Sequence, residues 1–287
     1  MLGLFTRHKQ DNVEATPVEL DLSGEHLKYA FESLLSASEE QGGVERFIYA
    51  LQVRRDAFKE AFNFKTPSMP DTAMLQALCS FMPTVRRRIA PYLENSEKKE
   101  ILKNALLTLQ EGAEDVSAAD ERIAQFCSVF PKDKDHRWTR DLASEVLHGT
   151  DPERYPLMCR WVWDTATNTG VLREIWFSDN IDNLVIDVVD NFETFITLRQ
   201  EISQYLSDNG VYKDMLQIVD LLQAQIYAGY ICDHGNTYIR ADFTNPEDPM
   251  MHIRRLLGLD GVSAKGRSKL KTIEGQSVIF DTLDALS

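Results

Sequence analysis

The sequence has no C-x-x-C pair among its four cysteines, Cys79, Cys127, Cys159 and Cys232. So few and so widely spaced, they make neither a zinc framework nor a disulfide scaffold in a chain of 287 residues. They are expected to pack as free thiols in a reducing, cytoplasmic compartment. No run approaches the ~18 apolar residues of a membrane span. The opening residues are too short for the apolar part of a secretory signal and run straight into Arg7, His8 and Lys9. There is no phosphate-binding glycine loop of the Walker type, no dinucleotide fingerprint and no G-x-S-x-G elbow. Internal repeats and low-complexity runs are absent. No cofactor and no metal are therefore expected. Cys232-Asp-His234 could supply two zinc ligands, but no second pair stands at a recognisable spacing.

Basic residues are also scarce. Lys and Arg number 31 against 45 Asp and Glu, a net charge of −14. Such a surface repels nucleic acid and anionic membrane over most of its area. Hydrophobic residues make up 43% of the chain, enough for a sizeable core.

Residues 1–22 are polar and aperiodic and read as a flexible tail. From Gly24 apolar residues recur at three- and four-residue spacing, the stripe of amphipathic helices. Leu27, Phe31, Leu34 and Leu35 mark the first helix, closed by Gly42 and Gly43. Further helices are expected from Val44, from Asp71 through Ile89, from Asn95 and from Ser117. Together they predict an antiparallel bundle over residues 23–130. A charged loop at 131–135 marks a boundary, and residues 137–287 read as an α+β domain. There a helix is expected over 138–148 and another from Pro152, with Asp151 as its cap. Residues 171–177 and 183–189, rich in β-branched and aromatic side chains, predict strands. Long helices follow over 192–207 and 211–228, then a hairpin over 230–240. Pro246 or Pro249 opens a further helix, and 277–280 is a last strand candidate. The fold class is thus mostly α, a helical bundle followed by an α+β half with a few short strands.

Two segments stand out chemically. In residues 151–164, Tyr155, Arg160, Trp161 and Trp163 concentrate the residue types that dominate interface hot spots, and they are the candidate partner-binding surface. His148, Asp164 and Glu174 are the candidates for acid–base work. The second segment, 252–271, is a basic island. It carries Arg254, Arg255, Lys265, Arg267 and Lys269, with Ser263 between spaced glycines at 258, 261 and 266. Backbone N–H groups of such a loop can cradle an anion.

An acidic stretch complements the island. Asp179, Asp182, Asp187, Asp190, Glu193, Glu201 and Asp208 share it with one basic residue, Arg199. Opposite patches of this kind can join two copies into a homo-oligomer. The expected function is an intracellular protein-interaction module without a catalytic site of its own: an adaptor, regulator or assembly factor. The alternative is an enzyme or binding protein acting on a phosphate-bearing or nucleic-acid ligand through residues 252–271.

Overall fold

The computed structural model describes residues 18–238 and 249–261. Among these residues the protein is helical, as its apolar periodicity predicts. The α+β half is not there: among the described residues the only β pairing is two isolated antiparallel bridges, Leu22–Trp176 and Asp164–Thr169.

The first helices follow their sequence signals. Helix α1 (Gly24–Glu39) starts where the Ser23 hydroxyl accepts from the His26 N–H, at 3.3 Å. It stops at Gly42 and Gly43, both at positive φ. Helix α2 (Val44–Ala61) buries Phe47, Leu51 and Phe58. Helix α3 (Thr72–Cys79) is capped by Asp71, whose carboxylate accepts from the Met74 N–H at 2.8 Å. It was expected to reach Ile89, but residues 80–89 form successive turns. Pro83 lacks the N–H that would continue the ladder and clashes with the preceding turn. Pro91 opens α4 (Ala90–Glu94) instead of ending a helix. Asn95 caps α5 (Ser96–Gln110), and α6 (Ala119–Ser128) follows.

Helix α7 (Trp138–Thr150) lies at the centre and is buried on almost every side. It packs against α2, α5 and α6. The helix expected from Pro152 does not form. Asp151 closes α7, and residues 151–163 are turns and extended chain. The strands expected over 171–177 and 183–189 are also corrected. The first begins with the short helix α8 (Val171–Glu174). The second is extended but has no neighbouring strand among the described residues, and strand propensity without a partner makes no sheet.

Helix α9 (Phe192–Asp208) is capped by Asn191. Helix α10 (Met215–Tyr238) continues through the expected hairpin and packs on α1, α2, α8 and α9. Its second half resembles a hairpin in sequence because Asp233, Gly235 and Asn236 are turn-forming residue types. Helix α11 (Pro249–Leu256) packs on α10. The strand candidate at 277–280 lies outside the described residues.

One continuous apolar core runs from Leu27 to Leu259 and includes helices on both sides of the 131–135 loop. Residues 21–23 are tied to it: the Phe177 N–H donates to the Asp21 carbonyl and the Ser23 N–H to that of Ile175, both at 2.8 Å.

Candidate functional site

Helix α7 carries Asp141, Ser144, Glu145 and His148 at i, i+3, i+4 and i+7, a polar stripe on one face of a buried helix. Buried polar groups need partners, and each of these has one. Asp141 takes the Arg160 guanidinium at 2.8 Å and the Arg160 backbone N–H at 3.2 Å. The Ser144 hydroxyl accepts from the Met158 N–H at 2.8 Å. Glu145 pairs with Arg54 of α2. His148 donates from Nδ1 to the Tyr155 carbonyl at 2.9 Å and sets Nε2 against the Asp220 carboxylate of α10 at 3.0 Å.

The stripe explains the central segment. Residues 155–160 run antiparallel along α7, fastened in turn at His148, Ser144 and Asp141. Their backbone groups bond to α7 side chains, so they are unavailable for the expected helix.

Beyond this strap the chain enters a cleft of about 630 Å³, within the size range of small-molecule sites. Glu145 and Cys159 form its floor. Its wall is aromatic: Trp161 and Tyr227 lie with ring centroids 6.0 Å apart, and Tyr230 stacks on Tyr227 at 5.5 Å. Arg87, His252 and Arg255 line it as well. Arg87 is exposed and forms no ion pair among the described residues. Its neighbours are held elsewhere: Arg86 makes a two-pronged pair with Asp260, both bonds at 2.9 Å, and Arg88 pairs with Asp135.

Burial raises the Glu145 carboxyl above the ordinary carboxylate range, although the nearby charges of Arg54 and His148 oppose the shift. Burial also raises the Tyr227 phenol. The Cys159 thiol is pushed well up by burial, then by the charges of Glu145 and Asp141. Burial alone carries Cys79 up to about 12. Nucleophilic catalysis needs the thiolate, so neither buried thiol is set up to attack a substrate.

The residues singled out in the sequence are dispersed. The catalytic candidates do not meet: His148 faces Asp220, Asp164 pairs with Arg137 at 2.8 Å in a second cleft, and Glu174 belongs to α8 near Tyr227. Of the partner-binding candidates, Tyr155 and Trp163 are core residues with no exposed surface. The Tyr155 hydroxyl donates to the Ala113 carbonyl at 2.7 Å, and Trp163 Nε1–H donates to that of Val188 at 2.9 Å. Arg160 is committed to Asp141, and Trp161 alone lines the cleft.

Of the anion-binding candidates, Arg255 lines the cleft and Arg254 lies on α11; Ser263, Lys265, Arg267 and Lys269 lie outside the described residues. Gly258 has a packing role in the fold. At φ +71° it lets the chain approach so closely that an added Cβ would stand 1.8 Å from the Phe81 carbonyl oxygen.

Sequence reasoning missed Glu145, Arg54, Arg87 and Tyr227. The stripe at 141, 144, 145 and 148 was a legible signal, since four polar residues on one face of an otherwise apolar helix must be satisfied internally. Arg87 and Tyr227 offered none, because their approach is set by the packing of distant helices.

Among the described residues no three His, Cys, Asp or Glu side chains cluster to hold a metal ion, and no helix is long and apolar enough to cross a membrane. Cys232 lies on α10, not before a hairpin turn. Compared with known proteins, the chain matches no family model, no curated protein and no solved structure.

Proposed function

We propose that this protein binds a small ligand with a planar body and a phosphate-like anionic group, held in the cleft between α7, α10 and α11. The observation that carries the reading is the pairing of an aromatic wall with arginines around one cavity of ligand size. A planar ring gains by stacking on Trp161 and Tyr227. A guanidinium such as that of Arg87 matches phosphate oxygens in a two-pronged geometry. A deeply buried carboxyl on the floor, with its proton affinity raised, adds a group that can accept from or donate to the ligand.

Thermal denaturation with adenosine, adenosine monophosphate and inorganic phosphate tests this directly. The nucleotide should raise Tm more than either fragment, by a margin that shrinks with salt. A ligand at 100 times its Kd adds about 2.7 kcal/mol. Trp161→Ala and Arg87→Met should remove the shift. No shift with any probe, or one that both variants retain, counts against the reading.

The reading as a non-catalytic interaction module is carried by a different surface from the one first singled out. It rests on Val185 and Val189, which are 76% and 61% exposed in a stretch without a cation. Exposed aliphatic side chains of this kind suit a partner's surface better than water.

A further inference from the structure

We infer that residues 184–189 are an open strand edge that accepts an extended, basic segment of a partner protein by strand addition. The inference rests on the interaction reading and is independent of the ligand cleft.

The segment Leu184-Val-Ile-Asp-Val-Val189 has the composition of a strand. Leu184 has extended torsions, φ −89° and ψ 131°. Exposure alternates residue by residue: Leu184, Ile186 and Val188 turn inward, while Val185, Asp187 and Val189 are exposed. That is the period of a strand with one face on a core.

The backbone alternates in the same way. The Ile186 N–H donates to Asn168 Oδ1 at 3.1 Å. The Leu184 carbonyl accepts from Asn168 Nδ2 and from Arg173, both at 2.9 Å. The Val188 carbonyl accepts from Trp163 Nε1 and Thr165 Oγ1, also at 2.9 Å. Side chains thus hold the inner row of peptide groups where a neighbouring strand would stand. The N–H and C=O groups of Val185, Asp187 and Val189 make no hydrogen bond among the described residues. In an extended chain alternate residues present these groups to opposite edges. The outer row is therefore a template for another strand, the geometry used in peptide recognition by strand addition.

Charge selects the occupant. Natural edges are usually guarded by lysine or proline, yet residues 174–198 contain neither of these and no arginine. They carry Glu174, Asp179, Asp182, Asp187, Asp190 and Glu193 instead. Two copies pairing through this edge would bring acid against acid, which is unfavourable across a strand pair. Val185, Asp187 and Val189 share one face, so a strand whose every second residue runs aliphatic, basic, aliphatic sets its apolar side chains beside Val185 and Val189 and its cation beside Asp187.

The test uses the full chain and a fluorescent eight-residue peptide with valine, lysine, valine and lysine at alternate positions and threonine between them, read by anisotropy. Saturable binding is expected. N-methylation of the valine and lysine positions, or of the threonines between them, removes one edge's donors, and one of the two sets should weaken binding at least tenfold while the other does not. Val185→Lys and Asp187→Lys should each weaken it comparably while leaving the melt of the free protein unchanged, since both side chains are exposed. Equal binding of both methylated peptides overturns strand addition and leaves a charge-driven interaction surface. No binding by any of the peptides overturns the proposal and removes support from the interaction reading as well. A wild-type dimer that Val185→Lys converts to monomer would also overturn it, because the edge would then pair with itself.

Discussion

Glu145 shows how one residue can be costly and still necessary. Its carboxylate is buried with Arg54, each side chain only 4% exposed. Removing one partner of such a pair leaves the other charge uncompensated. Because burial raises the folded-state pKa of Glu145, the folded protein holds this proton more tightly than the unfolded chain. The stability it contributes is present below the ordinary glutamate range and falls as pH rises through the folded value. Denaturant melts across a pH series should show wild type losing stability relative to Glu145→Gln over that interval. In Arg54→Met, where the opposing charge is gone, the loss should be larger and extend to higher pH. A difference between wild type and Glu145→Gln that does not vary with pH would contradict the assignment. Trp161 and Trp163 make the same point about context. They stand two residues apart, yet one lines a cleft and the other is sealed in the core, so their roles cannot be inferred from residue type.

Between elements, the geometry depends on a few close approaches. Gly258 follows α11 and Phe81 follows α3, and the two backbones meet with no room for a side chain. The Arg86–Asp260 pair closes the same junction. Gly210, between α9 and α10, also has positive φ, at +85°, but nothing within 4 Å of an added Cβ. Gly210→Ala should therefore cost only backbone strain, about 1 kcal/mol. Gly258→Ala should cost about 2–4 kcal/mol, because the chain must also move apart. Equal losses in urea melts would mean that crowding at Phe81 is relieved without cost. The strap of residues 155–160 belongs to this scale too. Its extended form is held by side chains of α7, so a proline-led segment with a good helix-start signal stays unwound.

For the whole molecule the decisive feature is the continuity of the core. Helices α2 and α5 pack on α7, and α10 packs on α1 and α2, so residues far apart in sequence share one apolar interior. Trp163 sits within it, fully buried and bonded to the Val188 carbonyl. Trp163→Ala should lower the stability of the whole chain by about 3–5 kcal/mol. Melts followed by circular dichroism and by tryptophan fluorescence should remain coincident, because one core unfolds as one unit. Trp161→Ala should leave the melt nearly unchanged and affect only ligand binding. Separate transitions for the residues before and after the 131–135 loop would show that the two parts unfold independently.

Local chemistry determined much of this protein. Ser23, Asp71, Asn95 and Asn191 start helices because each side chain replaces a missing backbone acceptor within its own first turn. Gly42 and Gly43 end one because positive φ is easy for glycine alone. Those decisions involve neighbours in sequence and are legible there. The tertiary structure decided the rest. The 171–177 and 183–189 segments have strand composition, but a strand needs a partner; among the described residues the first has only the isolated Leu22–Trp176 bridge and the second has none, which leaves it an exposed edge. Residues 230–238 resemble a hairpin in composition but continue helix α10. The cleft exists only where α7, α10, α11 and the turns after α3 converge. No spacing in the chain encodes that meeting of Arg87, Glu145, Trp161 and Tyr227, since it depends on which buried faces fit together.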